Sequence, residues 1–117
     1  MRIKARSKYH AKRVQLDGYL FDSQAEAKRY AELKLLERAG EISRLKVHPR
    51  TRIEINGTHI CDVEADFEFY DEATERTRYI DVKGMDLALS KLKRKLVKAM
   101  YAMDIEVEKV KRGRSHP

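Results

Sequence analysis

The chain of 117 residues and 13.7 kDa has the size of one ordinary domain, with room for one modest hydrophobic core. Charged residues make up 38% of it, and the 5 Gly and 2 Pro exclude a collagen-like or low-complexity chain. The single Cys61 excludes an intramolecular disulfide and a cysteine-based zinc cluster, and no apolar run is long enough for a membrane span or signal peptide. We therefore expect a soluble protein of a reducing, cytoplasmic setting without a membrane partner.

The first 13 residues form a basic arm. Its cations, with no acid among them, are Arg2, Lys4, Arg6, Lys8, Lys12 and Arg13. Residues 109–117 carry four more cations and no acid, so all 19 acids lie in residues 14–108 beside 16 of the 26 cations. The basic ends lack the apolar periodicity of a membrane anchor, so they predict salt-sensitive binding to the phosphates of a nucleic acid. The alternative is that they serve solubility alone.

Residues 14–40 predict a hairpin followed by a helix. Val14–Phe21 alternates around an Asp-Gly turn, as a small hairpin does. Ser23 and Glu26 have the spacing of a capping box, and the helix is predicted to run to about Ala39, where Gly40 ends it. The predicted buried stripe of this helix comprises Tyr30, Leu33 and either Leu36 or Ala39.

From Ile42 the apolar period changes to two, which predicts strands. The predicted strands are Ile42–Val47, Arg52–Ile55, Ile60–Tyr70 and Thr77–Val82, with Ile60–Tyr70 the longest. Asn56-Gly57 predicts a tight turn, and Gly84 ends the last of these strands.

A second helix is predicted from about Leu87 to Met103, followed by a strand at Ile105–Val110. The apolar residues at helical spacing, expected to be buried, are Leu89, Leu92, Leu96, Met100 and Met103. The cations on another face of the same helix are Lys91, Arg94, Lys95 and Lys98. The order of elements predicts an α/β domain with a small mixed β-sheet flanked by helices.

Acidic residues occupy positions in two strands where apolar residues are common. Within Ile60–Tyr70, one face carries Asp66 together with three acids that an exposed strand face explains without function: Asp62, Glu64 and Glu68. In the next strand Asp81 and Lys83 share a face. If the two strands are neighbours, Asp66 and Asp81 converge, which is unfavourable unless a cation lies between them.

Hard oxygen ligands of this kind suit Mg²⁺ or Mn²⁺, and the Val82 carbonyl would add a ligand. Lys83 would orient or help deprotonate an attacking water, or stabilise negative charge on the phosphorus centre. The alternative for Asp81 and Lys83 is a surface salt bridge.

Glu26 has two interpretations, since the capping box explains it locally and its position on the inward stripe calls for a partner such as a metal site. The four histidines, His10, His48, His59 and His116, show no pairing at metal-ligand spacing. Cys61 lies on the apolar strand face and is interpreted as a core residue.

Five segments together resemble one known family. They are Asp-Gly-Tyr-Leu-Phe-Asp-Ser-Gln-Ala-Glu-Ala (17–27), Leu-Lys-Leu-Leu-Glu-Arg-Ala-Gly-Glu-Ile (33–42), Glu-Ala-Asp-Phe (64–67), Tyr-Ile-Asp-Val-Lys-Gly (79–84) and Lys-Leu-Lys-Arg-Lys-Leu (91–96). They are similar to a family of small phage and prophage endodeoxyribonucleases, once classified as a domain of unknown function, in the PD-(D/E)XK superfamily with the Holliday-junction resolvases. The resemblance covers about residues 8–110.

The resemblance implies a restriction-endonuclease-like core of helix, three strands, helix and strand (α-β-β-β-α-β). It implies that Asp66, Asp81, the Val82 carbonyl and Glu26 bind a divalent metal, with Glu26 acting directly or through water. Lys83 would be the lysine of the (D/E)XK half. Ala65 stands where the family has proline, and Asp81 is one methylene shorter than the family's glutamate.

The predicted organisation is a basic arm (1–13), a nuclease domain (14–110) and a basic tail (111–117). The leading hypothesis is a Mg²⁺-dependent endodeoxyribonuclease from a phage or prophage in a bacterial cell, selective for branched DNA and acting as a homodimer because a junction needs two symmetric cuts. The arm and the cationic helix face would bind the DNA backbone. The alternatives are a non-catalytic DNA-binding nuclease-fold module of a phage, and an RNA-binding basic protein.

Overall fold

The structure is a computed structural model that describes residues 12–110. The predicted arm residues Arg2, Lys4, Arg6 and Lys8, and the tail 111–117, lie outside the described residues. The elements are β1 (Val14–Leu16), β2 (Tyr19–Phe21), α1 (Gln24–Arg38), β3 (Ile42–Val47), β4 (Arg50–Ile55), β5 (Thr58–Glu64), β6 (Phe67–Asp71), β7 (Arg76–Lys83), α2 (Ala88–Tyr101) and β8 (Ile105–Lys109). The predicted mixed α/β class, with two helices and a small sheet, is confirmed.

The main sheet has four strands in the order β3-β6-β7-β8. The first two pairings are antiparallel, and β7 pairs in parallel with β8, which α2 connects. Arg78 on β7 binds Asp71 on β6 and Glu106 on β8, with N···O distances of 2.9 and 2.6 Å, so one side chain ties three strands together. Two hairpins, β1-β2 and β4-β5, lie outside this sheet.

The first helix begins and ends as predicted. The Ser23 hydroxyl accepts a hydrogen bond of 3.1 Å from the Glu26 amide, and Gly40, with φ +84°, follows the C-cap residue Ala39. Tyr30 and Leu33 are buried as expected, but Leu36 and Ala39 are exposed, so the prediction for the last turn is wrong. The core under α1 consists of Phe21, Ala27, Tyr30, Leu33, Ile42, Phe67, Phe69 and Ile80.

The predicted strand Ile60–Tyr70 is wrong as a single element. It is two strands in different sheets, because β5 pairs only with β4 in a hairpin while β6 pairs with β3 and β7. The change of partner occurs at Ala65 and Asp66, where the Ala65 amide donates to the Pro49 carbonyl at 3.0 Å. Within residues 12–110 the longest strand is therefore β7, with eight residues.

The second helix packs against the β4-β5 hairpin through a smaller core of Ile53, Val63 and Val97. The predicted burial of its apolar stripe is wrong: Leu89 is 61% exposed, Leu92 53% and Met100 37%, while Leu96 and Met103 are partly buried. Successive residues are about 100° apart around a helix, so Val97 faces the hairpin while the stripe lies to one side of it. Among residues 12–110, neither helix is long and apolar enough to cross a membrane.

Candidate functional site

Asp66 lies where the chain passes from the β4-β5 hairpin into the main sheet. Its backbone amide donates at 3.0 Å both to the Ile80 carbonyl and to Oδ1 of Asp81. Its carbonyl accepts a hydrogen bond of 2.8 Å from the amide of His48. The backbone of Asp66 is thus fixed to β7 on one side and to the end of β3 on the other.

The Asp66 side chain reaches the backbone of β7, where its Oδ2 accepts a hydrogen bond of 2.7 Å from the Val82 amide. The N–H and C=O of one residue in a strand point to the same side, so the Val82 carbonyl also faces Asp66. Burial raises the pKa of Asp66 to about 8, and the negative charges of Glu26 and Asp81 act in the same direction. The Val82 amide opposes this shift without cancelling it.

Glu26 forms the predicted cap, and its buried carboxylate has a partner in the fold. Its backbone completes the first half of the cap with Ser23, and its Oε1 accepts a hydrogen bond of 3.1 Å from the amide of Asp22, one residue before the N-cap. Its other oxygen, Oε2, lies 2.9 Å from Nε2 of His48. At 4% exposure Glu26 is buried, so its carboxylate depends on these partners.

His48 is a site residue that the sequence pattern did not reveal. It follows the last residue of β3 with a left-handed φ of 56°, which turns the chain toward the adjoining Pro49. Ligand atoms of Glu26, His48 and Asp66 all lie within 4.8 Å of one another. These residues are 22 and 18 positions apart in the sequence, so no local spacing rule could pair them; the one available signal was a histidine at a strand end before proline.

Asp81 and Lys83 lie next to Asp66 toward α2. The Lys83 Nζ is 3.6 Å from Oδ2 of Asp81 and 3.5 Å from the hydroxyl of Ser90 on α2. Asp81 is 5% exposed, and burial raises its pKa while the charge of Lys83 opposes the rise. Asp81 itself is not part of the Glu26, His48 and Asp66 cluster, although it holds the Asp66 amide.

A cleft of about 380 Å³ opens beside Asp81 and Lys83. It is lined by Arg50, Asp62, Val63, Glu64, Asp81, Lys83, Ser90, Lys93 and Arg94. Four cations and three acids meet there, so the cleft can accept a phosphate next to a carboxylate ligand. The sequence pattern had not singled out Arg50 or Lys93.

The four predicted cations of α2 differ in their partners. Arg94 forms a bidentate ion pair with Asp86, with N···O distances of 2.9 and 2.6 Å, and Lys98 Nζ lies 2.8 Å from a carboxylate oxygen of Asp104. Lys91 and Lys95 are exposed. All four nevertheless border a second groove of about 410 Å³ with Met103, Asp104 and Ile105.

Of the predicted arm cations, only Lys12 and Arg13 belong to the described residues. Both are exposed, and Arg13 lies 4.0 Å from Asp22. The structure therefore brings Glu26, Asp66, Asp81, Val82 and Lys83 together and leaves Lys91 and Lys95 in a separate groove.

The profile of one protein family, described as "Protein of unknown function (DUF1064)", matches residues 6–114. No curated protein matches the chain. No solved structure matches it either.

Proposed function

The chain belongs to the DUF1064 family, and from the geometry of its site we propose that it is a Mg²⁺- or Mn²⁺-dependent endodeoxyribonuclease. The observation that carries the proposal is the position of Asp66, whose carboxylate binds the Val82 amide and whose own amide is held by Asp81. The buried Asp81 and Lys83 line the charged cleft, and the half-buried Asp66 lies directly beside them.

The order of elements supports the finer fold assignment that we propose, a restriction-endonuclease-like core. With the two hairpins set aside, α1, β3, β6, β7, α2 and β8 follow one another as helix, three strands, helix and strand. The sheet order β3-β6-β7-β8 follows the chain, with only the last pairing parallel. The β4-β5 hairpin is then an insertion that supplies one wall of the cleft through Arg50, Asp62 and Glu64.

The donor set fits a hard divalent ion. Asp66 and Asp81 offer carboxylate oxygens and Val82 a carbonyl oxygen, which are the ligand types that Mg²⁺ and Mn²⁺ prefer. Glu26 would act on the same ion directly or through water. Burial raises the pKa of Asp66, the charges of Glu26 and Asp81 raise it further, and a bound cation would offset both effects. Such an ion supplies charge neutralisation at phosphorus and a more acidic water.

In the proposed reaction, Lys83 is the principal protein group in the cleft. Hydrolysis forms a bond from water oxygen to phosphorus, breaks a bond from phosphorus to a deoxyribose oxygen, and moves one proton from the water to the leaving oxygen. Lys83 Nζ, held between Asp81 and Ser90, donates to the attacking water or to a phosphate oxygen as charge builds up. Asp81 keeps the ammonium in place.

The DNA backbone would run along the cationic wall of Arg50, Lys93 and Arg94. Lys91 and Lys95 border the neighbouring groove and would extend this surface. The arm and tail add cations by sequence alone. Such contacts recognise phosphates and shape rather than bases, which suits a branched substrate. A phage- or prophage-encoded enzyme in the bacterial cytoplasm, as the resemblance implies, would meet such DNA during recombination or packaging.

Two symmetric cuts in a junction require two copies, and the exposed stripe of α2 is the surface that we assign to the second copy. Leu89 and Leu92 are more than half exposed, and Met85 and Leu87 just before α2 are exposed at 68% and 57%. Large apolar side chains grouped in this way mark interaction surfaces. A two-fold axis across α2 would cover the same patch on both copies.

The experiment is a cleavage assay on linear, flapped and four-way DNA, with Mg²⁺, with Mn²⁺ and with a chelator. We expect strand cleavage only with a metal, and fastest on four-way DNA. Binding to all three substrates without cleavage under any metal would favour the non-catalytic DNA-binding module. Stronger binding to RNA than to DNA would favour the RNA-binding alternative.

A further inference from the structure

We propose that Glu26, His48 and Asp66 form a metal position of their own, which selects a nitrogen-accepting divalent ion such as Mn²⁺, Co²⁺ or Zn²⁺ over Mg²⁺. The inference goes beyond the proposed nuclease function, because these three residues could bind an ion in the absence of DNA and without a ligand atom from Asp81 or Lys83. Asp66 and Glu26 would be shared between this position and the proposed cleavage centre, and His48 belongs to this position alone.

The backbone holds the imidazole in place. The His48 amide donates to the Asp66 carbonyl at 2.8 Å, and the Ala65 amide donates to the Pro49 carbonyl at 3.0 Å, so the end of β3 is fixed against the link before β6. The His48 ring packs beside Phe21, with ring centroids 5.9 Å apart. Its side chain is 28% exposed, which leaves access from solvent.

The spacing of the three donors fits one ion. Ligand atoms about 2.1 Å from a metal are about 3–3.5 Å from one another in octahedral or tetrahedral geometry. His48 Nε2 and Glu26 Oε2 are 2.9 Å apart, and the ligand atoms of all three residues lie within 4.8 Å. Small side-chain rotations therefore suffice to enclose an ion, with water completing its coordination.

A hydrogen bond between His48 and Glu26 alone leaves one feature unexplained. Asp66 faces the buried Glu26 carboxylate, and within residues 12–110 neither acid forms an ion pair with a lysine or arginine. The nearby Lys83 is engaged by Asp81 instead. Two facing carboxylates require a proton or a cation, and an adjacent imidazole nitrogen makes a metal cation the better partner.

The imidazole determines which ion is chosen. Mg²⁺ prefers oxygen ligands and gives up its bound water reluctantly, whereas imidazole suits the first-row transition metals. A set of two carboxylates and one imidazole therefore favours Mn²⁺, Co²⁺ or Zn²⁺. An amide oxygen in place of the imidazole should remove this preference and leave Mg²⁺ binding unchanged.

The test is titration of tag-free, full-length protein with cobalt(II), manganese(II) or magnesium chloride in the absence of DNA. Calorimetry measures all three ions, and visible absorption measures cobalt. His48→Gln should weaken Co²⁺ and Mn²⁺ binding by at least about tenfold, the usual scale for disrupting a metal's ligand sphere, without changing Mg²⁺ binding. The matched control is His59→Gln, since His59 is exposed and pairs with Asp62 at 3.0 Å; it should bind like the wild type.

Equal Co²⁺ affinity of His48→Gln and wild type would overturn the proposal. If His48→Gln does not fold, the wild-type NMR spectrum decides, because bound Co²⁺ should shift the imidazole resonances of His48 and not those of His59. Shifts at neither or only at His59 would also overturn it. Asp81→Asn separates the two proposals: it removes a cleavage ligand but should retain Co²⁺ binding at His48, so a failed nuclease and a failed metal position give different results.

Discussion

The backbone amide of Asp66 donates a hydrogen bond of 3.0 Å to the carboxylate of Asp81, so the Asp81 side chain holds the backbone at Asp66 in place. The Val82 amide returns a hydrogen bond of 2.7 Å to Asp66. This reciprocal pair joins the beginning of β6 to the end of β7. Asparagine is therefore the right substitution at either acid, because it removes the charge and retains an acceptor oxygen.

Asp66→Asn should change the pH dependence of stability in metal-free protein. The pKa of Asp66 is raised from 3.8 to about 8 in the folded state, so the folded chain binds a proton there that the unfolded chain releases near pH 4. Wild-type stability should fall relative to Asp66→Asn as pH rises from about 4 to about 8, and no further above that. Urea unfolding in a chelator at pH 5, 7 and 9 measures this.

A divalent ion should abolish the difference, because it replaces the proton between the acids. The matched control is Asp62→Asn, whose side chain is 36% exposed. A stability difference between wild type and Asp66→Asn that does not vary with pH would show that Asp66 is ionised throughout, and that its surroundings do not require a cation.

Lys83→Ala should slow cleavage far more than it weakens DNA binding. Its ammonium group is placed where charge develops in the transition state, and such assistance is commonly worth about 10²–10⁴ in rate. Single-turnover rates at saturating DNA, with binding measured separately in Ca²⁺, make the comparison. Lys34→Ala is the control, since Lys34 pairs with Glu37 on α1. Cleavage by Lys83→Ala at the wild-type rate would reduce Lys83 to a structural ion-pair partner.

The prediction for the basic arm rests on sequence alone. Deleting residues 1–8 removes four cations, Arg2, Lys4, Arg6 and Lys8. Each lost phosphate contact on duplex DNA should flatten the slope of log affinity against log salt by about 0.9. Cleavage at saturating DNA should be unchanged, because no proposed ligand is removed. If the slope is unchanged, the arm does not contact DNA; the Lys91→Ala, Lys95→Ala double variant then tests the α2 groove.

Glutamate in place of Leu89 and Leu92 should convert a dimer into a monomer. Both side chains are more than half exposed beside the Val97 contact, so the change puts charge on the stripe without disturbing the core. Light scattering on purified protein gives the mass, and circular dichroism checks the fold. Leu35→Glu is the control, because Leu35 is 61% exposed on α1. A monomeric wild type at micromolar concentration would remove α2 as a dimer surface.

Local patterns predicted the elements well and their partners less well. The capping box, the Asp-Gly and Asn-Gly turns and the helix-ending Gly40 act within a few residues, and the structure has each of them. The split between β5 and β6 could not be predicted, because Ala65 and Asp66 continue the same alternation while the strand changes its partner. That change depends on long-range bonds to Pro49 and Ile80.

The same limit applies to the site. Asp81, Val82 and Lys83 are neighbours on one strand, and the approach of Asp66 to Asp81 was predicted by the strand faces together with the resemblance to a known motif. His48 joins the site only because β3 ends beside the first turn of α1, which is a tertiary relationship. The apolar stripe of α2 was misassigned for the opposite reason: its helical period is correct, but periodicity does not specify whether the same chain or another copy covers it.

The most direct test of the central claim is nicking of supercoiled plasmid DNA by wild type and by Asp81→Asn, each with Mg²⁺, with Mn²⁺ and with a chelator. The account predicts open-circular and linear products from the wild type with either metal, and none with the chelator. Asp81→Asn should remain folded and DNA-bound and should nick at least about 100-fold more slowly. Intact plasmid with folded, metal-supplemented wild type, or equal nicking by Asp81→Asn, would contradict a metal-dependent nuclease site at Asp66, Asp81 and Lys83.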